Sequence, residues 1–240
     1  MLNSPIIVAY DGSPNADDAV VLGRLLADAS HASLALAYVY RAARPSPHRA
    51  ATAMHGREKF MRHRAQDLLS HGARLANDDI ARFSLASTTT ATGIRIIAER
   101  EQAGLVIFGS AHHAPPGCVH PGSASRRLLQ EGPCALGFTP VGFRERNPTT
   151  PEKIAVACDD PTSAAQRSAQ ALARVMSAQV TERKDGSDLI FVGSAPGAEV
   201  GRVVVNAMRS QSIQTAAAPV VVVPYGRALQ LVPANASAAA

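Results

Sequence analysis

Tryptophan is absent from the 240 residues, and aromatic side chains make up only 4% of them. Stacking platforms for unpaired bases have little to be built from, so neither DNA nor RNA is expected as a partner. Cysteine is scarce: Cys118, Cys134 and Cys158 are odd in number and scattered. That usage argues against a disulfide framework and for a reducing, cytoplasmic compartment. No apolar run approaches the roughly 18 residues that a membrane helix needs, so no membrane is expected as a partner. Residues 1–5 have no basic start leading into a long apolar stretch, and no secretory signal is expected. No Gly-x4-Gly-Lys-[Ser/Thr] and no Gly-x-Ser-x-Gly occurs. This removes P-loop phosphotransfer and the common serine hydrolase elbow.

What is present is a globular composition. Hydrophobic residues account for 46% and charged residues for 18%, enough for a packed core and too little charge for wholesale disorder. The net charge is +5. Its one strongly one-sided stretch holds Arg41, Arg44, Arg49, Arg57, Lys59, Arg62 and Arg64, opposed only by Glu58. With Phe60 the sole aromatic among them, the stretch reads as a solvated loop and helix face rather than a nucleic-acid interface.

Strand and helix signals alternate along the first part of the chain. Ile6-Ile7-Val8-Ala9-Tyr10 is a short apolar run, read as a buried strand and broken by Asp11-Gly12. Ser13 then offers a helix cap, with Pro14 at the first helical position and Asp17 and Asp18 at the positive end of the helix dipole. A second strand is expected over residues 34–40, a long helix over about 51–76, a strand over 80–87 and a short helix over 93–102. Leu105-Val106-Ile107-Phe108 reads as a strand stopped by Gly109-Ser110, a helix opens near Gly122-Ser123, and residues 134–138 are the last strand. Five strands alternating with four helices predict an α/β fold, a doubly wound open parallel sheet. In such sheets ligands bind beyond the strands' carboxyl ends, where the strand order reverses.

The pattern then starts again. Ile154-Ala155-Val156-Ala157-Cys158-Asp159 echoes the first strand and Asp11, and Asp160-Pro161 offers another cap. Leu189-Ile190-Phe191-Val192-Gly193-Ser194 echoes the strand ending in Gly109-Ser110, and residues 219–224 echo 133–140. Between these landmarks the second copy is shorter, by about a strand, a long helix, a strand and a short helix, with residues 180–182 read as a strand remnant. Residues 144–151 read as a linker, and the alanine-rich end from about Arg227 as an untethered tail.

The strongest chemical signal is the loop after the fourth strand: Gly109-Ser110-Ala111-His112, nine residues, then Gly122-Ser123. A glycine turn leaving a strand, followed by Gly-Ser opening a helix, offers free backbone N–H groups to an anion. Glycines there permit close backbone approach. His112, His113, Cys118 and His120 fall in the same loop, but their spacing matches no standard zinc pattern, and no metal is expected. His55, His63 and His71 recur every eight residues and so do not share a helix face.

Residues Ile7-Val8-Ala9-Tyr10-Asp11-Gly12-Ser13, the 109–123 loop, Arg127-Leu128-Leu129 and Pro133-Cys134-Ala135 make the chain resemble the universal stress protein family. That family's nucleotide signature runs Gly, two residues, Gly, nine residues, Gly, then Ser or Thr. Gly109, Gly122 and Ser123 match it, and His112 stands where the second glycine belongs. The resemblance covers residues 5–140 well and 152–226 in shortened form. It implies a tandem protein: a first domain over 1–143, a reduced and degenerate one over 152–226, and a tail over 227–240.

It further implies a stress-response module that binds ATP or a related adenine nucleotide in the first domain. Asp11 would contact the adenosine, Val39 would line the adenine pocket, and Gly109, His112, Gly122, Ser123 and Ala124 would surround ribose and phosphates. In the second copy the Gly-Ser helix start is missing and Glu199 would repel phosphate, which implies a supporting role. A nucleotide-free interaction protein of the same fold is the competing reading. No base, nucleophile or metal is positioned for catalysis, so at most a slow ATPase is expected. The final strands of the copies, 134–138 and 220–223, would leave exposed apolar edges. The expected assembly is an intramolecular pseudo-dimer of two layers packed on each other, or a homodimer.

Overall fold

The computed structural model describes residues 4–42, 51–76, 79–157 and 163–231. In chain order its elements are β1 (Ile6–Ala9), α1 (Pro14–Ser30), β2 (Leu34–Arg41), α2 (Ala51–Leu75), β3 (Ala81–Ser87), α3 (Thr90–Arg100), β4 (Leu105–Phe108), α4 (Ser123–Glu131) and β5 (Ala135–Phe138). A single 3-10 turn, Arg144–Arg146, leads to β6 (Lys153–Ala157), α5 (Ala164–Met176), β7 (Gln179–Thr181), β8 (Leu189–Gly193), α6 (Ala207–Gln214) and β9 (Val220–Val223).

All nine strands lie in one sheet, in the order β3-β2-β1-β4-β5-β9-β8-β6-β7. Every neighbouring pair is parallel except β5 and β9, which run antiparallel with Leu136 opposite Val222 and Phe138 opposite Val220. The expected mostly parallel open sheet is therefore present. The expected stack of two layers is not: residues 153–223 extend the sheet edge to edge. The reason is hydrogen bonding, since stacking would leave the backbone groups of β5 and β9 unpaired, whereas antiparallel pairing satisfies them.

Strand alternation sends side chains to both faces. Ile6, Val8, Leu36 and Ile107 pack with α1 and α2 on one face, joined by Val156 and Phe191 under α5. Ile7, Val106, Phe108 and Leu136 pack with α3 and α4 on the other, joined by Ile190 and Val220 beside α6. Each such side chain, fully buried, is worth about 1.5–3 kcal/mol, and the two cores run without a break across the β5–β9 pair. No helix among the described residues is long and apolar enough to cross a membrane.

Loops reinforce the join reciprocally. The Val119 N–H, in the loop after β4, donates to the Ala216 carbonyl just beyond α6. The Val203 N–H, in the loop after β8, donates to the Gly132 carbonyl just beyond α4. Residues 144–151, expected to be a plain linker, begin with a clamp on α1: Asp18 accepts from the N–H groups of Gly142 and Arg144, and the Arg144 guanidinium bonds Asp17 at 2.9 Å.

Two further expectations need correcting. The short β7 pairs with β6 in register Ile154–Val180, the neighbour relation β2 has with β1, so the second half lacks a helix, a strand and a helix but keeps a remnant of that strand. Residues 227–231 are also not an untethered tail. Leu229 and Leu231 are buried, and the Leu229 N–H donates to Ser168 Oγ at 2.8 Å. The rest of the expected tail lies outside the described residues, as do Cys158, Asp159, Asp160 and Pro161; α5 is capped by Ser163.

Tyr10, one residue past β1, is buried and donates to Asp17 Oδ1 at 2.8 Å. Burial first, and then the bond to Asp17, push its phenol above the ordinary value. A phenol held protonated in the fold contributes its full stability below its unfolded pKa of about 10 and loses it as pH rises beyond that. Tyr10→Phe should therefore be less stable than the native protein at pH 8, by about 1 kcal/mol, and the gap should narrow above pH 10. Denaturant titrations at both pH values check it; a gap that widens with pH would contradict the assignment.

Candidate functional site

The chain passes from β1 to β2 on one side and returns to β4 on the other, so the strand order reverses between β1 and β4. Beyond their carboxyl ends lies a cavity of about 440 Å³. All seven residues singled out by the sequence line it: Asp11, Val39, Gly109, His112, Gly122, Ser123 and Ala124. Thr90 and Ile94 of α3, and His113, line it too. The sequence reading weighed His113 only as a zinc ligand and did not pick out Thr90 or Ile94, whose helical spacing was the signal available for α3.

Three strands and two helices place these groups. Asp11 closes β1 and turns the chain, its Oδ1 accepting from the Ser13 N–H at 3.0 Å. The turn role and the cavity position thus coexist in one carboxylate. Val39 lies near the end of β2, where α3 comes so close that a Cβ on Gly93 would collide with its methyl groups. Asn15, at the start of α1, donates to the Ser110 and Ala111 carbonyls at 2.9 and 3.1 Å and pins the start of the loop. Ser110 Oγ donates to the Thr139 carbonyl at 2.6 Å and accepts from the His120 N–H at 2.9 Å.

Gly109 is needed for a different reason from the one its motif suggests. A Cβ there would overlap the Asn15 carbonyl. The glycine allows α1 to sit on the end of β4, so its requirement is internal packing rather than backbone approach to a ligand. Gly122 is the opposite case, with nothing within 4 Å of a Cβ added to it.

Gly122 is also the N-cap of α4 and supplies no capping side chain. By contrast Ser13, Thr89, Ser163 and Asn206 cap α1, α3, α5 and α6, each accepting from a first-turn N–H. Among the α-helices whose starts are described, α4 alone has no side-chain cap, and its first-turn residues Ser123, Ala124 and Ser125 line the cavity. This end carries a partial positive charge and favours an anion. Arg126 is exposed and does not enter the cavity. Its guanidinium bonds the Pro121 carbonyl at 2.9 Å and lies 2.7 Å from His120 Nε2.

His112 stands at the mouth, with Nε2 3.6 Å from Asp11 Oδ2 and both side chains more than half exposed. Among the described residues no three His, Cys, Asp or Glu side chains gather as a metal site.

The second half repeats this loop bond for bond. Ser194 Oγ donates to the Val223 carbonyl and accepts from the Val204 N–H, over the same sequence separations as Ser110 with Thr139 and His120. It differs at the helix start. Asn206 Oδ1 accepts from the Arg209 N–H at 3.0 Å and takes up a donor that α4 leaves open.

Residues 3–136 match the model of the universal stress protein family. No curated protein matches the chain. Among solved structures, a universal stress protein from Archaeoglobus fulgidus DSM 4304 is 12% identical, with 92% of this chain and 98% of that chain covered at a TM-score of 0.66. A putative universal stress protein from Pseudomonas aeruginosa UCBPP-PA14 is 13% identical, covering 92% of this chain and 93% of that one at a TM-score of 0.55.

Proposed function

The chain belongs to the universal stress protein family, and from that premise we propose that it is a cytoplasmic stress-response module that binds one adenine nucleotide in residues 1–143. The observation that carries this reading is the convergence of Asp11, Val39, Gly109, His112, Gly122, Ser123 and Ala124 on one cavity at the strand-order reversal. Adenine lies between Val39 and the α3 residues, Asp11 faces the ribose, and a phosphate meets the uncapped start of α4. The N–H groups, the helix dipole and the Ser123 hydroxyl all favour an anion there.

Residues 152–226 are a shortened second universal stress protein domain, joined to the first as an intramolecular pseudo-dimer through β5 and β9. Two observations support this: the repeated serine-centred loop bonds and a likeness to a universal stress protein structure over 92% of the chain. The second domain supports the first and does not bind phosphate, because Asn206 caps its own helix.

One observation favours the nucleotide-free alternative, in which the fold acts only by docking or dimerising. His112 reaches Asp11 across the cavity mouth, so a ligand that needs Asp11 must displace it. Mass spectrometry of small molecules released from the denatured protein decides between the two. An adenine nucleotide recovered near one per chain supports binding. None recovered, and none taken up on incubation with adenine nucleotides, would leave only the docking reading.

A further inference from the structure

We propose that the outer edge of β3 is the surface through which two copies of this chain pair, antiparallel, about a two-fold axis at Ser84. No residue of β3 lines the nucleotide cavity. The strand ends the sheet on its side, and among the described residues no strand lies beyond it. Its seven residues keep register with β2 from Ala81 to Ser87 without a bulge, and they include no proline and no lysine. Edges that stay unpaired usually carry such devices. The opposite edge, β7, is blunted by being three residues long. Ala81, Arg82 and Ser84 are exposed. The one charged side chain of the strand, Arg82, is drawn back onto α2, where its guanidinium donates to Ser70 Oγ at 3.1 Å.

The outward-facing groups specify the occupant. The Ser87 carbonyl accepts from the N–H of Ala42, just beyond β2. In a parallel ladder Ser87, Leu85 and Phe83 therefore turn their N–H and C=O groups to β2, and Arg82, Ser84 and Ala86 turn theirs outward. Pairing that sets Ser84 opposite its own copy sets Arg82 opposite the partner's Ala86. All three outward N–H groups of each chain then meet carbonyls, and the two Arg82 side chains stay apart. A shift by two residues in either direction moves one pair past the strand, to Ile80 or Thr88. On the α3 face the same register sets Phe83 against the partner's Leu85, at the closer spacing of an antiparallel ladder. Both side chains are only partly buried in the single chain. Ile96 of α3 is 43% exposed. It lies one turn before Arg100, whose guanidinium sits over Phe83 at 5.7 Å, and so adds apolar surface beside this pair. The sheet already continues edge to edge, antiparallel, at β5 and β9.

The test is analytical ultracentrifugation of the full chain, which should sediment as a dimer at micromolar concentration. Ser84→Pro removes an N–H that β2 does not use, so the variant should keep the native circular dichroism spectrum. It should weaken the dimer at least about tenfold, because one bond from each chain is lost. Ser84→Lys sets like charges directly opposite each other across the axis and should weaken the dimer too. A native chain that stays monomeric throughout the micromolar range would overturn the inference, and so would a dimer that both variants leave intact. Ser84→Cys reads the register. Its two copies would stand about 5.5 Å apart at Cα, within reach of a disulfide, so oxidation should give a cross-linked dimer. The native protein and Ala86→Cys should give none, and Ala86→Cys cross-linking as readily as Ser84→Cys would overturn the pairing about Ser84.

Discussion

Replacing Gly109 by alanine should destabilise the protein by about 3 kcal/mol, at the upper end of the usual cost of overpacking. The new methyl group would overlap the Asn15 carbonyl, which is held in place because the same residue donates to Ser110 and Ala111. Backbone cannot swing aside as a flexible side chain can, so α1 must lift from the end of β4. Denaturant unfolding of the variant checks this. A loss below about 1 kcal/mol would mean that α1 and the loop are not held together as described. The result also separates packing from binding, because Gly109 lies in the nucleotide signature while its lost hydrogen faces α1.

Gly122→Asp should have the opposite profile: nucleotide binding lost by more than about a hundredfold, stability equal or higher. The position is an extended N-cap with open space around it. Aspartate is a favourable cap that exceeds glycine by a few tenths of a kcal/mol and gains from the helix dipole. Its carboxylate would accept from the first-turn N–H groups of α4 and repel any phosphate that competes for them. Circular dichroism melts and calorimetric titration on one sample check both halves. A variant that folds as well as the native protein and still binds would show that no anion uses the start of α4. Gly122→Ala, which adds no charge, should keep most of the binding.

Much of the first half was legible in the chain because local signals there agree. Ser13-Pro14 marks the start of α1, apolar runs bounded by Asp11-Gly12 and Gly109-Ser110 mark β1 and β4, and Gly122-Ser123 opens α4. The candidate cavity followed from the strand order, which places the ends of β1, β2 and β4 together. Less legible were features set by distant partners. Asn15 looks like an ordinary first-turn residue, and its bonds to Ser110 and Ala111 exist only after folding. Leu229 and Leu231 stand at the head of an alanine-rich end, where nothing local signals their burial.

The edge-to-edge join of β5 and β9 was misread as stacked layers for a related reason. Apolar strand residues show that an edge needs cover, but they do not distinguish backbone pairing from face packing. β7 was only glimpsed because three residues carry little periodicity. Gly109 matched its motif while serving a contact that the motif does not encode.

The central claim is one nucleotide per chain, held in the first half. Calorimetric titration with AMP of the native protein, Asp11→Ala and Asp159→Ala tests it most directly. The account predicts a stoichiometry of one, a large loss of affinity in Asp11→Ala and an unchanged affinity in Asp159→Ala. Two equivalent sites per chain, or a loss in Asp159→Ala as large as that in Asp11→Ala, would contradict it.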